Sequence, residues 1–103
     1  MFTDETLALN FKALSHPRRA MLFRLLVNRP EAGDNLDRLI AESRLSYSTA
    51  IHHLREMERC GLVQRQRRGV HTAYRLAPGA FARALAAVLR MSEAARAKPR
   101  RVA

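Results

Sequence analysis

One cysteine, four glycines and nine acidic residues are all that this 103-residue chain has of three common chemical resources, and each scarcity removes a class of function. With Cys60 alone, no disulfide closes within the chain and no cluster of thiolates holds a metal. The glycines stand singly at Gly33, Gly61, Gly69 and Gly79, so there is no glycine-rich loop to cradle a phosphate. No nucleophile paired with a base and no carboxylate pair stands out, and the chain is therefore not read as an enzyme. Nor does any apolar run approach the roughly 18 residues that cross a bilayer. The start, Met1-Phe2-Thr3-Asp4-Glu5, has neither the basic nor the apolar stretch of a secretory signal. A cytoplasmic chain without a membrane partner is expected.

What is abundant is positive charge. Nineteen Lys and Arg against nine Asp and Glu give +10 and a sequence pI near 11.5, a balance that favours a polyanion such as nucleic acid. An arginine-rich proteome is the competing explanation of the total. The charge is unevenly placed: Arg18, Arg19, Arg24 and Arg29 give residues 15–30 a charge of +4. Six arginines less Glu56 and Glu58 give residues 46–76 another +4, while residues 31–45 sum to −2. A 48% hydrophobic content argues for a folded chain. At this length it has one core, and so small a domain gains from a second chain.

The apolar spacing predicts a first helix from about Asp4 to Leu14, capped by Thr3, with Leu7, Phe11 and Leu14 on one stripe. Pro17 suits the first turn of a second helix reaching about Asn28, with Met21, Leu22, Leu25 and Leu26 in the core and Arg18, Arg19 and Arg24 outside. After a loop at Arg29 to Gly33, Asp34 or Asn35 caps a short third helix carrying Leu36, Leu39 and Ile40.

Residues 46–63 carry the clearest local pattern. Ser46 can cap a helix whose buried stripe is Ala50, Leu54 and Met57, and Gly61 follows Cys60 where a left-handed residue ends it. Tyr47, Ser48, His52, Arg55 and Arg59 fall on the outer face, a polar and cationic surface suited to a DNA groove. Two short helices in succession, the second with polar groups at its start, make a helix-turn-helix. Beyond Gly61 two strand-like arms fold about Gly69, leaning on the helices through Val63, Tyr74 and Leu76 and carrying Arg67, Arg68 and His71 at the tip. A last helix after Pro78-Gly79 has Phe81, Leu85, Val88 and Leu89 on one face. That face either packs on its own domain or forms a dimer seam with the first helix, through Leu7 and Phe11; the seam is preferred. The expected fold is mainly α with a small β-hairpin, about five helices and a two-stranded wing. Residues 1–95 make the domain and 96–103 a basic, disordered tail.

Phe11-Lys12-Ala13-Leu14-Ser15-His16-Pro17-Arg18-Arg19, Leu45-Ser46-Tyr47-Ser48-Thr49 with His53-Leu54, Gly61-Leu62-Val63 and Tyr74-Arg75-Leu76 together resemble the ArsR/SmtB family of dimeric winged-helix repressors, over about residues 7 to 76. The resemblance implies a homodimer on double-stranded DNA with a near-palindromic operator. Ser46, Tyr47, Ser48, Thr49 and His52 would read bases or adjacent phosphates, and Arg55, Arg59, Arg67, Arg68, Arg18 and Arg19 would attract the backbone. The family's metal-sensing residues are missing: the third helix has no cysteine, and residues 78–95 have no histidine or aspartate. No metal and no cofactor are expected. Ile51 either contacts a thymine methyl or widens the core stripe, the second being favoured. His52 and His53, adjacent on a helix and so about 100° apart, do not chelate one ion together. His53 is expected to pack within the motif. Cys60 is either a buried small hydrophobe or, with Arg59 beside it, a thiolate sensor, and the first is favoured. The alternatives to a repressor are a winged-helix protein-interaction module and a MarR-like regulator answering a small molecule or redox signal.

Overall fold

The computed structural model describes residues 3–29, 34–78, 85 and 90–96. Helix α1 (Asp4–Ala13) begins where the Thr3 hydroxyl accepts the amide of Thr6 at 3.1 Å, and Asp4 and Glu5 in its first turn oppose the positive end of the helix dipole. It buries only Asn10 and Ala13 and ends one residue before Leu14, which serves as its cap. Helix α2 (Pro17–Val27) opens on its proline, with the Nδ1 of His16 accepting the Arg18 amide at 3.1 Å. Its buried stripe is Leu22, Phe23, Leu26 and Val27. Met21 and Leu25, expected at the centre of the core, are half-buried on its edge. Burying the ring of Phe23 turns the stripe by about one residue, because an aromatic removes more apolar area from water than a methionine left at the edge adds.

Of the two candidate caps for α3 (Leu36–Ser43), Asn35 does the capping, its Oδ1 accepting the Arg38 amide at 2.8 Å. Asp34 instead lies buried, 3.3 Å from Arg29 and 4.0 Å from Arg38. The chain leaves α3 through Arg44 in the left-handed conformation, φ 60°, and enters α4 (Tyr47–Arg59) three residues later. The far end of α4 closes as expected on Gly61, φ 78°. The Gly61 amide donates to the Glu58 carbonyl and the Leu62 amide to that of Met57, both at 3.0 Å. This is a Schellman ending, and it delivers the chain directly into strand β2 (Val63–Arg68).

Gly69, φ 62°, and Val70, whose φ is not positive, then form a two-residue turn of type II′ into β3 (His71–Leu76). The hairpin pairs Val63 with Leu76 and Arg68 with His71. The two strands of the expected wing are β2 and β3, and a third short strand extends the sheet to the order β1-β3-β2, because β1 (Asp34–Asn35) pairs antiparallel with Tyr74 and Ala73. A lone hairpin would leave the outer edge of β3 with unpaired backbone groups, and two residues suffice to cover the part nearest the core.

Val63, Tyr74 and Leu76 carry the sheet onto a core of Leu22, Leu26, Leu39, Leu54, Met57 and Leu62. Ile51 packs against it from the side, as favoured from the sequence. Asn10, only 4% exposed, donates from Nδ2 to the Cys60 carbonyl at 2.8 Å and so fastens α1 to the end of α4. Beyond the wing, Leu85 and residues 90–96 are helical, Leu85 half-buried against the core. Phe81, Val88 and Leu89, and the expected tail apart from the helical Arg96, lie outside the described residues. No helix among the described residues is long and apolar enough to cross a membrane.

A side chain in the left-handed region costs roughly 1–2 kcal/mol, which glycine avoids at some loss of unfolded-state restriction. Arg44→Gly is therefore expected to stabilise the domain by about 0.5–1 kcal/mol, read as a higher urea midpoint with an unchanged slope.

Candidate nucleic-acid interface

The start of α4 is built by its own hydroxyls. Ser46 accepts the Thr49 amide at 3.2 Å through Oγ, and the same hydroxyl donates to Thr49 Oγ1 at 2.8 Å. Ser46 and Thr49, both in the predicted reading set, thus have hydroxyl capacity committed to the cap. Ala50, His53, Leu54 and Met57 turn inward, which leaves Tyr47, 62% exposed, with Ser48, His52, Arg55 and Arg59 outward. Tyr47 also borders a small cleft with Asn35, Val70 and His71, so the first turn of α4 and the wing tip lie side by side. Farther along, Arg55 and Arg59 share a groove with Arg65 of β2. The outer face of α4 and the wing therefore form one continuous surface.

The arginines on that surface differ in how much of their charge is free. Arg59 donates to Glu56 at 2.7 Å and Arg65 lies 3.8 Å from Glu58. Arg68 donates to the neutral Gln66 at 3.3 Å. Arg55 and Arg67, both exposed, hold no ion pair among the described residues. At the tip, Val70 is 89% exposed.

Arg18 and Arg19 diverge. Arg18 is exposed, whereas Arg19 donates from Nε to the Ala13 carbonyl at 2.7 Å and from Nη2 to that of Lys12 at 3.4 Å, satisfying the C-terminal end of α1. Sequence reasoning missed this role, although an arginine six residues past a helix end could have suggested it. It also missed His16, whose position before Pro17 is that of an N-cap. The His16 ring lies 4.5 Å from that of His53, tilted by 42°, and His52 meets His53 edge-on at 5.3 Å. His53 is 5% exposed and its Nδ1 has no hydrogen-bond partner. Among the described residues no three His, Cys, Asp or Glu side chains gather to hold a metal.

Cys60 is buried, and both burial and the Glu56 carboxylate, 3.7 Å from its thiol, push its pKa up. Arg59 is turned to Glu56 instead. Of the two sequence readings, the geometry is that of the small hydrophobe.

Of the residues assigned to a dimer seam, Leu7 is half-buried and Phe11 is 55% exposed on α1. Leu85 is partly taken up by the chain's own core.

No family model and no curated protein matches the chain. Solved structures do. Rv0081 of M. tuberculosis is 30% identical, with 86% of each chain covered and a TM-score of 0.69. The transcriptional repressor BigR from Xylella fastidiosa is 29% identical over 82% of this chain and 83% of its own, with a TM-score of 0.69. The homodimeric winged helix-turn-helix DNA-binding domain of Mb0332 from Mycobacterium bovis, a possible ArsR-family regulator, is 22% identical; 99% of this chain and 97% of that one are covered, with a TM-score of 0.76. The chain shares the winged helix-turn-helix fold of these proteins.

The buried histidine is expected to give the stability of this fold a pH dependence. Burial lowers the His53 pKa, and the nearby His16, Arg19, His52 and Arg18 lower it further. A histidine whose folded pKa is depressed binds fewer protons folded than unfolded, so stability is full above the ordinary value of 6.5 and falls as pH drops below it. The urea midpoint is expected to decrease between about pH 7.5 and about pH 5.5, and His53→Leu to reduce that difference. An equal acid loss in the variant would assign the pH dependence to other groups.

Proposed function

We propose that this chain is a homodimeric, sequence-specific double-stranded DNA-binding repressor of transcription, acting in the cytoplasm and without catalytic activity of its own. The observation that carries the reading is the continuous polar and cationic surface formed by the outer face of α4 and the wing. Its α4 part has the dimensions and chemistry of a major-groove reader, with Tyr47, Ser48, Thr49 and His52 nearest the bases and Ser46 beside them. Arg55, Arg67 and Arg68 supply attraction to phosphates, Arg59 adds to it when Glu56 releases it, and Arg18 extends the contact at the start of α2. Arg19, whose donors are largely engaged by α1, has a secondary part at most.

The homodimer is supported by the half-exposed Leu7 and Phe11 on a helix that buries so little, and by the homodimeric state of the Mb0332 domain. Leu85, Phe81, Val88 and Leu89 complete the proposed seam. Two copies would set their α4 helices in successive major grooves, roughly 34–36 Å apart, on a near-palindromic operator.

Selection of genomic fragments by the purified protein is expected to enrich a motif with two half-sites about one helical turn apart. Failure to enrich any motif at low salt would favour the protein-interaction module. On the selected site, replacing Arg67 and Arg68 by Gln is expected to weaken all sequences alike and to flatten the slope of log affinity against log salt by roughly one unit per lost phosphate contact. An unchanged slope would remove the wing from the interface. His52→Ala is expected to change the preference among operator variants, whereas uniform weakening would reassign His52 to the backbone.

A further inference from the structure

One face of α2 lies outside the core formed by the described residues. Pro17, Ala20, Met21 and Arg24 recur at three- and four-residue spacing along it, and with Leu14 and Leu85 they line an open cleft of about 440 Å³. The wall is apolar except for Arg24, which is exposed and has no carboxylate partner among the described residues. The volume lies in the range of small-ligand sites, and such sites typically combine an apolar lining with one or two polar groups that fix orientation. This composition selects an amphiphile: an apolar body of modest length ending in one negative group. A second copy of the chain fits less well, because an apolar helix laid here would cover the Arg24 charge without pairing it.

The cleft is also mechanically joined to the reading surface. Pro17 in its wall follows His16, whose ring rests on His53 of α4, and Phe23, which also borders the cleft, is buried in the same core as Leu54 and Met57. A ligand that moves the start of α2 therefore moves the support of α4.

We propose that this cleft is an effector site for a small apolar carboxylate, of the medium-length acyl or aryl class, and that its occupation shifts α4 and lowers DNA affinity. The regulatory half rests on the DNA-binding reading above; the binding half does not.

Calorimetric titration of the full chain with octanoate, octan-1-ol and octylamine tests the binding half directly. Octanoate is expected to saturate with a Kd below about 1 mM and to bind at least about tenfold more tightly than the alcohol or the amine. Arg24→Gln should bring octanoate down to the level of the alcohol, and Ala20→Trp, which fills the cleft from an exposed position, should abolish binding with the thermal transition retained. No saturable binding, equal binding of the three probes, or full octanoate affinity in both variants would overturn the site. If Ala20→Trp instead alters the monomer–dimer balance while octanoate has no effect on either protein, the cleft is a seam between copies and the proposal fails. With a selected operator, saturating octanoate is expected to weaken wild-type DNA binding about fivefold or more and to leave the Ala20→Trp protein unaffected. Octanoate binding without that change would overturn the regulatory half alone, and absence of any DNA binding would overturn the function proposed above while the calorimetry still reads the site.

Discussion

Everything exposed on α4 owes its position to what α4 buries. Ala50, Leu54 and Met57 are fully inaccessible, Leu54 and Met57 share a core with Leu22, Phe23 and Leu26 of α2, and Leu62 and Val63 continue the same burial into the sheet. The helix is then held at both ends by hydrogen bonds that fix its axis: Ser46 at its start, and at its finish the paired amides of Gly61 and Leu62 together with Asn10 on the Cys60 carbonyl. A rigid inner stripe with two fixed ends lets a row of long polar side chains project without any need to be packed themselves. Because β2 starts only two residues after Gly61, the same constraint that orients α4 also aims the wing.

Local grammar made much of this readable in advance. Thr3, Pro17, Ser46, Gly61 and Gly69 each act within about four residues of themselves, through caps, a fixed φ or a positive φ, and each of these is found where the spacing puts it. What was illegible depends on distance along the chain. Asn10 meets Cys60 fifty residues away, β1 finds Tyr74 and Ala73 across α3 and α4, and His16 meets His53 only after two helices have packed. No periodicity encodes such contacts, because the partner is chosen by the tertiary arrangement. The α2 stripe is an intermediate case. Its 3.6-residue period was plain, but whether Met21 or Phe23 faced inward depended on which rotation the neighbouring helices accepted.

Of the candidate site, the face of α4 and the wing tip were legible because an amphipathic helix and a hairpin each declare their outer side. The assignment of charge was less so. A net charge of +10 counts arginines without regard to what they hold. In the folded chain Arg29 and Arg38 surround Asp34 and Glu42, joining the start of α3 to the end of α2, and Arg19 closes α1. Burial raises the Asp34 pKa while Arg29 and Arg38 draw it down. Among the described residues its Oδ2 has no hydrogen bond, so the carboxylate relies on those cations for much of its compensation. These arginines serve the fold, whereas Arg18, Arg55 and Arg67 are exposed and hold no ion pair among the described residues.

That division has a consequence for control. If charge were the only link between the domain and DNA, any regulator would have to neutralise it, and an effector binding far from the wing could do little. The reading surface is instead supported from below, through the His16–His53 contact and the Phe23, Leu54 and Met57 core, by a helix whose opposite face is open to solvent. Packed cores pass displacements on because they have few voids in which to absorb them. A change in how α2 is covered therefore reaches α4 without altering a single surface charge.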